Sequence, residues 1–175
     1  MSTHYDIVTI GGGTAGLTLA DIAPRLGIKA ALIEKNKLGG DCTWMGCVPS
    51  KALLKVGRVA HAARTADHYG LSAGPVQTDM GRVRDYIHST IHHIYAHETP
   101  EKIEQTGVDV IKGKARFVDA HTLEVNGERL TADNFLIATG AAAIEPPITG
   151  LSATPYHTYE TIFDNDRLPE HLIVV

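Results

Sequence analysis

Cysteine is scarce in this sequence: Cys42 and Cys47 are the only two among 175 residues. Two thiols cannot complete a tetrahedral zinc site without other ligands, and the nearest histidine is His61, so zinc closure within the chain is disfavoured. An excess of one charge is missing too. Lys and Arg number 16, Asp and Glu 20, for a net charge of −4. That balance gives no reason to expect nucleic acid or an anionic membrane as a partner. No apolar stretch approaches the ~20 residues of a membrane-spanning helix. The opening, Met1 to Ile10, runs straight into a strand pattern with no basic-then-apolar leader, so a cytoplasmic protein is expected. Structural disulfides are rare in that compartment. A close cysteine pair there points to catalysis or metal binding before it points to a staple. Internal repeats and low-complexity segments are absent.

What remains is an ordinary globular composition, 43% hydrophobic and 21% charged, long enough for one substantial core and the beginning of a second domain. Tyr5–Ile10 reads as a buried strand leading into glycines, Thr14–Leu26 as a helix stopped by Gly27, and Ile28–Ile33 as a second strand ending at Glu34. That is a βαβ unit. Ser50–Ala66 reads as helical. Leu71–Asp79, with Gly74-Pro75, reads as a loop. Val83, Ile87, Ile91 and Ile94 recur at helical spacing within Met80–Gln105, where Pro100 breaks the helix or begins a new one. Beyond it lie four strand-like segments: Val108–Ile111, Ala115–Val118, Thr122–Val125 and Phe135–Ala138, with Asn126-Gly127 as a hairpin signal. Leu172–Val175 reads as the start of a buried parallel strand, which needs neighbours and a crossover. The expected class is α/β: a Rossmann-like domain with a parallel sheet, a long helical segment and a small antiparallel β-meander. Its expected bounds are 1–150, followed by an extended connection over 151–170 and the first strand of a truncated further domain at 171–175.

Gly11-Gly12-Gly13-Thr14-Ala15-Gly16 is a G-x-G-x-x-G run in its required setting, after a strand and opening a helix. Gly11 permits a tight turn, Gly13 lets backbone approach a pyrophosphate, and Gly16 allows close helix–strand packing. The helix N-terminus at Thr14 and Ala15 presents amides and partial positive charge to phosphates. Glu34, with Lys35 beside it, stands where a carboxylate accepts hydrogen bonds from ribose hydroxyls. The pattern alone does not separate FAD from NAD. The cysteines favour FAD, since a flavin can take a hydride on one side and serve a thiol on the other.

Thiol–disulfide exchange needs an accessible thiolate and a partner that re-forms the bond. Cys47 precedes Val48-Pro49, and proline suits a helix's first turn. A thiolate there gains from the helix dipole. Cys42 is expected in the preceding loop, pointing outward. Lys51, one turn past Cys47, supplies positive charge near a flavin. A zinc half-site, two ordinary buried thiols and an adventitious disulfide are the competing readings.

Gly39-Gly40-Asp41-Cys42-Thr43-Trp44-Met45-Gly46-Cys47-Val48-Pro49-Ser50-Lys51 resembles the active-site signature of the class I pyridine nucleotide–disulfide oxidoreductases, G-G-x-C-x-N-x-G-C-x-P-S-K. The resemblance covers nearly the whole chain. Gly11–Gly16 and Glu34 match the family's FAD-binding unit. Gly40, Asp41 and Cys42, within that signature, are further cofactor-binding positions that the resemblance implies. Gly113-Lys114-Ala115 resembles the segment that meets the adenine, and Ile137-Ala138-Thr139-Gly140-Ala141 looks like its A-T-G motif. The strand at Leu172 matches the opening of the NAD(P) domain. By this resemblance Cys42 is the interchange thiol, Cys47 the thiol beside the flavin, and Lys51 the lysine of the dihydrolipoamide dehydrogenase and mercuric reductase branch. The implied cofactors are FAD and, through a further domain, NAD(P)H. The implied substrate is a dithiol, a disulfide or a soft metal ion, in a homodimeric parent. Trp44 stands in place of the usual asparagine, and Asp41 in place of a small residue.

The NAD(P) domain and the general base of the family would lie beyond Val175, so the chain alone is expected to be inactive as a reductase. A different class remains open: a flavin- or nucleotide-binding module whose cysteines sense redox state. No resident metal site is expected. His88, His92 and His93 read as a solvated helix face, and Arg82, Arg84 and Asp85 as surface charge.

Overall fold

The computed structural model describes residues 3–175. Met1 and Ser2, the first two residues of the expected domain, lie outside the described residues. Two compact units divide the chain. One holds the chain up to Trp44 together with Ile94–Ala142, and the other holds Met45–His93 with Ala143–Val175.

The first unit is built on one six-stranded sheet. Its strands are β1 (Thr3–Ile10), β2 (Ala30–Glu34), β3 (Asp109–Lys112), β4 (Arg116–Asp119), β5 (Thr122–Val125) and β6 (Glu128–Ile137), in the order β3-β2-β1-β6-β5-β4. β1 pairs in parallel on both sides, Val8 lying opposite Ala31 of β2 and Phe135 of β6. β2 pairs in parallel with β3. Ala30–Ile33 are all buried, as a strand covered on both faces requires. β4, β5 and β6 run antiparallel. The expected meander therefore exists as an extension of the parallel sheet.

β6 is longer than the sequence implied. Its first half, through Leu130 and Ala132, pairs with β5 and β1 together. Asp133 and Asn134 are poor strand formers, and pairing overrides their propensity. Helix α1 (Thr14–Ile22) packs on this sheet. Beneath it a cluster of Ala20, Ala23, Ala30, Leu32, Leu38 and Val108 is buried. Leu32 and Val8 are fully enclosed, each contributing roughly 1.5–3 kcal/mol. Tyr5, 4% exposed, donates its hydroxyl to Asp109 Oδ2 at 2.8 Å. Burial first, and then the adjacent carboxylate, push its pKa up to about 12.

The second unit holds α3 (Cys47–Arg64) and most of α4 (Met80–Tyr95). Val83, Ile87 and Ile91 form the buried stripe of α4, as their spacing predicts. α4 ends at Tyr95, and Pro100 opens α5 (Pro100–Glu104) with Thr99 as its N-cap. The segment 151–170 carries two single 3₁₀ turns, Leu151–Ala153 and Ile162–Asp164. His88 Nε2 lies 2.9 Å from Asp164 Oδ1, and Arg84 Nη1 lies 3.6 Å from Asp166 Oδ2, so two side chains of the polar face of α4 have specific partners.

Leu172–Val175 form no strand, contrary to the sequence reading. These residues are 67–86% exposed and carry no ladder. Apolar β-branched character alone does not make a strand where no neighbour offers backbone partners. No helix among the described residues is long and apolar enough to cross a membrane.

Candidate active site

Four parallel strands bring their carboxyl ends to one edge of the sheet. Gly11 follows β1 and donates its amide to Ile33 O at 2.8 Å. Gly113 follows β3 and donates to Glu34 O at 2.9 Å. Ala138 follows β6 and donates to Ile10 O at 2.9 Å. β1 connects to β2 on one side, while β6 returns on the other. In open α/β sheets, ligands bind outside the carboxyl ends at such a reversal. Gly11–Gly16, Glu34, Gly113 and Thr139–Ala141, chosen from separate parts of the sequence, thus share one edge.

The glycines of the turn differ in what forces them. Gly11 has φ +113°, and a Cβ there would lie 2.1 Å from Ala138 O. A Cβ on Gly16 would lie 2.1 Å from Gly11 O, the close helix–strand approach expected of the third glycine. Gly13 is under neither constraint. Its φ is −82°, and a Cβ would meet only Gly40 Cα at an ordinary 3.7 Å. The fold itself has no need of glycine at Gly13, and the space its missing side chain leaves suits a group approaching from outside. Gly13 caps α1 with no side-chain hydrogen bond and no acidic residue in the first turn, so the helix end favours an anion. Thr14 and Ala15 are exposed there. These features fit a dinucleotide pyrophosphate.

Glu34 does more than the sequence indicated. Its Oε2 accepts from Gly12 N at 2.7 Å and its Oε1 from Asn36 N at 2.7 Å. The carboxylate pins the glycine turn to the end of β2, and its remaining lone pairs can still accept from hydroxyl groups. Gly12 and Asn36 were not singled out from the sequence. The triple glycine was the available signal for Gly12. Asn126, read only as a hairpin residue, donates Nδ2–H to Lys112 O at 2.8 Å, and a Cβ on Gly113 would lie 2.7 Å from its Oδ1. The hairpin tip thereby latches the Gly113 segment. Ala115 turns its methyl onto the core, leaving its backbone as the group to offer a ligand.

The cysteine segment corrects one expectation. Cys42 lies on a five-residue helix, α2 (Gly40–Trp44), and not in a loop. The helix starts beside the glycine turn. Gly39 N donates to Gly12 O at 2.9 Å, and a Cβ on Gly40 (φ +58°) would lie 2.6 Å from Gly13 Cα. Asp41 is exposed in the first turn of α2 and Cys42 is half-buried. Cys47 and Lys51 belong to the other unit, one turn apart on α3 and both exposed. Cys47 is the first residue of that helix, after Gly46 as N-cap, and Pro49 is buried in its first turn. Lys35 is exposed after β2. Among the described residues no group of three or more His, Cys, Asp and Glu could hold a metal ion.

Comparison with known proteins gives the arrangement its family. The profile of the pyridine nucleotide-disulphide oxidoreductases matches residues 5–175. The chain belongs to this family. It is 36% identical to a mercuric reductase of Lysinibacillus sphaericus over 98% of its length and 32% of the relative's. It is 34% identical to a dihydrolipoyl dehydrogenase of Acholeplasma laidlawii over 86% of its length and 45% of the relative's. Among solved structures, it resembles the Cu(II) complex of the HOCl-induced flavoprotein disulfide reductase RclA from Escherichia coli. That match has a TM-score of 0.71 and 29% identity, covering 93% of this chain and 34% of that one. The chain therefore spans 32–45% of these relatives' length, matching their N-terminal portion.

Proposed function

We propose that this chain is the FAD-binding portion of an NAD(P)H-dependent disulfide oxidoreductase whose redox pair is Cys42 and Cys47. The observation that carries the proposal is the direct junction of the glycine turn with the cysteine helix, through Gly39 N to Gly12 O and the close approach of Gly40 to Gly13. A dinucleotide held at the turn would lie against the element that presents Cys42.

Gly13 and the N-terminus of α1 would hold the pyrophosphate, Glu34 the ribose, Gly113–Ala115 the adenine, and Thr139–Ala141 the cofactor's flank. When bound, FAD supplies a two-electron carrier between a hydride donor and a thiol pair. Cys42 would exchange with the substrate, Cys47 would re-form the disulfide, and Lys51 would hold a positive charge near the ring. Relatives named mercuric reductase and dihydrolipoyl dehydrogenase support a soft metal ion or a dithiol as substrate. The same reading makes 1–150 the first part of the FAD domain, 151–170 a connection and 171–175 the entry to an NAD(P)-binding domain, in a homodimeric parent.

Mild oxidation of the reduced chain tests the pair: two thiols lose two electrons and two protons and form one bond. Peptide mapping is expected to find Cys42 joined to Cys47 within one chain, with no such product in Cys42→Ser or Cys47→Ser. Oxidation yielding only disulfides between chains would contradict the proposal.

A further inference from the structure

α2 has five residues, far too few to hold a helix by backbone bonds alone. Beyond the backbone junction of Gly39 with Gly12 at its entry, the position of its far end, and of Cys42 at its centre, depends on side-chain contacts. Trp44, the only tryptophan, supplies three. Its Nε1–H donates to Leu38 O at 2.8 Å. Its ring meets Tyr95 at 4.9 Å between centroids, tilted by 56°. The Lys37 ammonium sits 4.3 Å from the ring centroid, a cation–π distance. On the same helix, buried Thr43 donates to Glu98 Oε2 at 2.7 Å. Trp44 thus ties the end of α2 back to the segment that enters it and across to the end of α4.

We propose that Trp44 is a positioning residue for Cys42: its indole clamp fixes α2 against the glycine turn and sets how far the Cys42 sulfur is presented. The inference rests on the reading of Cys42 as the interchange thiol, but its test does not require that reading to succeed. Trp44 itself touches neither substrate nor cofactor in this account.

The test is the rate at which iodoacetamide alkylates each cysteine of the reduced chain, resolved by peptide mass spectrometry. Sulfur displaces iodide and the thiol proton passes to solvent. Cys47, exposed on α3, is the internal reference. Trp44→Asn is expected to raise the Cys42 rate about fivefold, equivalent to roughly 1 kcal/mol, with the Cys47 rate unchanged. Trp44→Phe keeps a ring between Lys37 and Tyr95 and preserves bulk should the asparagine variant not fold. It is expected to give a selective rise of about twofold. Equal acceleration of both cysteines would show a general loss of fold and overturn the inference, as would unchanged Cys42 rates in the folded variants. If oxidation forms no Cys42–Cys47 bond, the functional reading fails while the alkylation ratio still decides this one.

Discussion

At the scale of the residue, the glycines separate what the fold demands from what a ligand demands. Gly11 and Gly16 are crowded by backbone oxygens at 2.1 Å from a would-be Cβ. Gly16→Ala is expected to cost about 1–3 kcal/mol, read as a lower urea midpoint. Gly13 has room for a methyl group, so alanine there should leave stability within about 0.5 kcal/mol while obstructing a ligand. Glu34 accepts two amides at once. Glu34→Gln turns one oxygen into a donor facing a donor, and a loss of about 1–3 kcal/mol is expected in urea unfolding. Tyr5 gives a pH signature. Folded, it keeps its proton to about 12, whereas an unfolded tyrosine releases it near 10.0. Its contribution to stability is therefore complete below pH 10.0 and lost as pH rises towards about 12. Urea midpoints compared at about pH 9 and about pH 11.5 should fall more steeply for the parent than for Tyr5→Phe.

At the scale of the element, legibility followed periodicity. α4 declared itself through Val83, Ile87 and Ile91, and all three are buried. Ile87→Ala, at a buried position of that stripe, is expected to cost about 2–5 kcal/mol by thermal or urea unfolding. α2 was illegible because five residues span little more than one helical turn, with no apolar stripe to read. Two of its clamps, Trp44 against Tyr95 and Thr43 to Glu98, reach across the sequence to partners no local pattern reveals. β6 was half legible. Phe135–Ile137 read as strand, but Asp133 and Asn134 hid its start until pairing with β1 exposed it. Leu172–Val175 failed in the opposite direction, as a strand pattern with no ladder to join.

At the scale of the whole molecule, the sequence named most of the residues that the sheet collects. Glu34 ends β2, Gly11–Gly16, Gly113 and Thr139 come after β1, β3 and β6, and strand order β3-β2-β1-β6 sets their carboxyl ends side by side. Sequence spacing could name them singly, while their convergence depended on β6 returning beside β1, a long-range pairing. Family membership agrees with that convergence, and the junction of Gly39 with Gly12 extends it to Cys42. The central claim is that this edge binds a dinucleotide through Gly13. It is tested by adding FAD to the parent chain and to Gly13→Ala, desalting, and recording visible absorption alongside urea unfolding. The account predicts a bound-flavin band in the parent, at least about a tenfold lower affinity in Gly13→Ala, and matching unfolding midpoints. Equal flavin retention by both chains, or by neither, would contradict it.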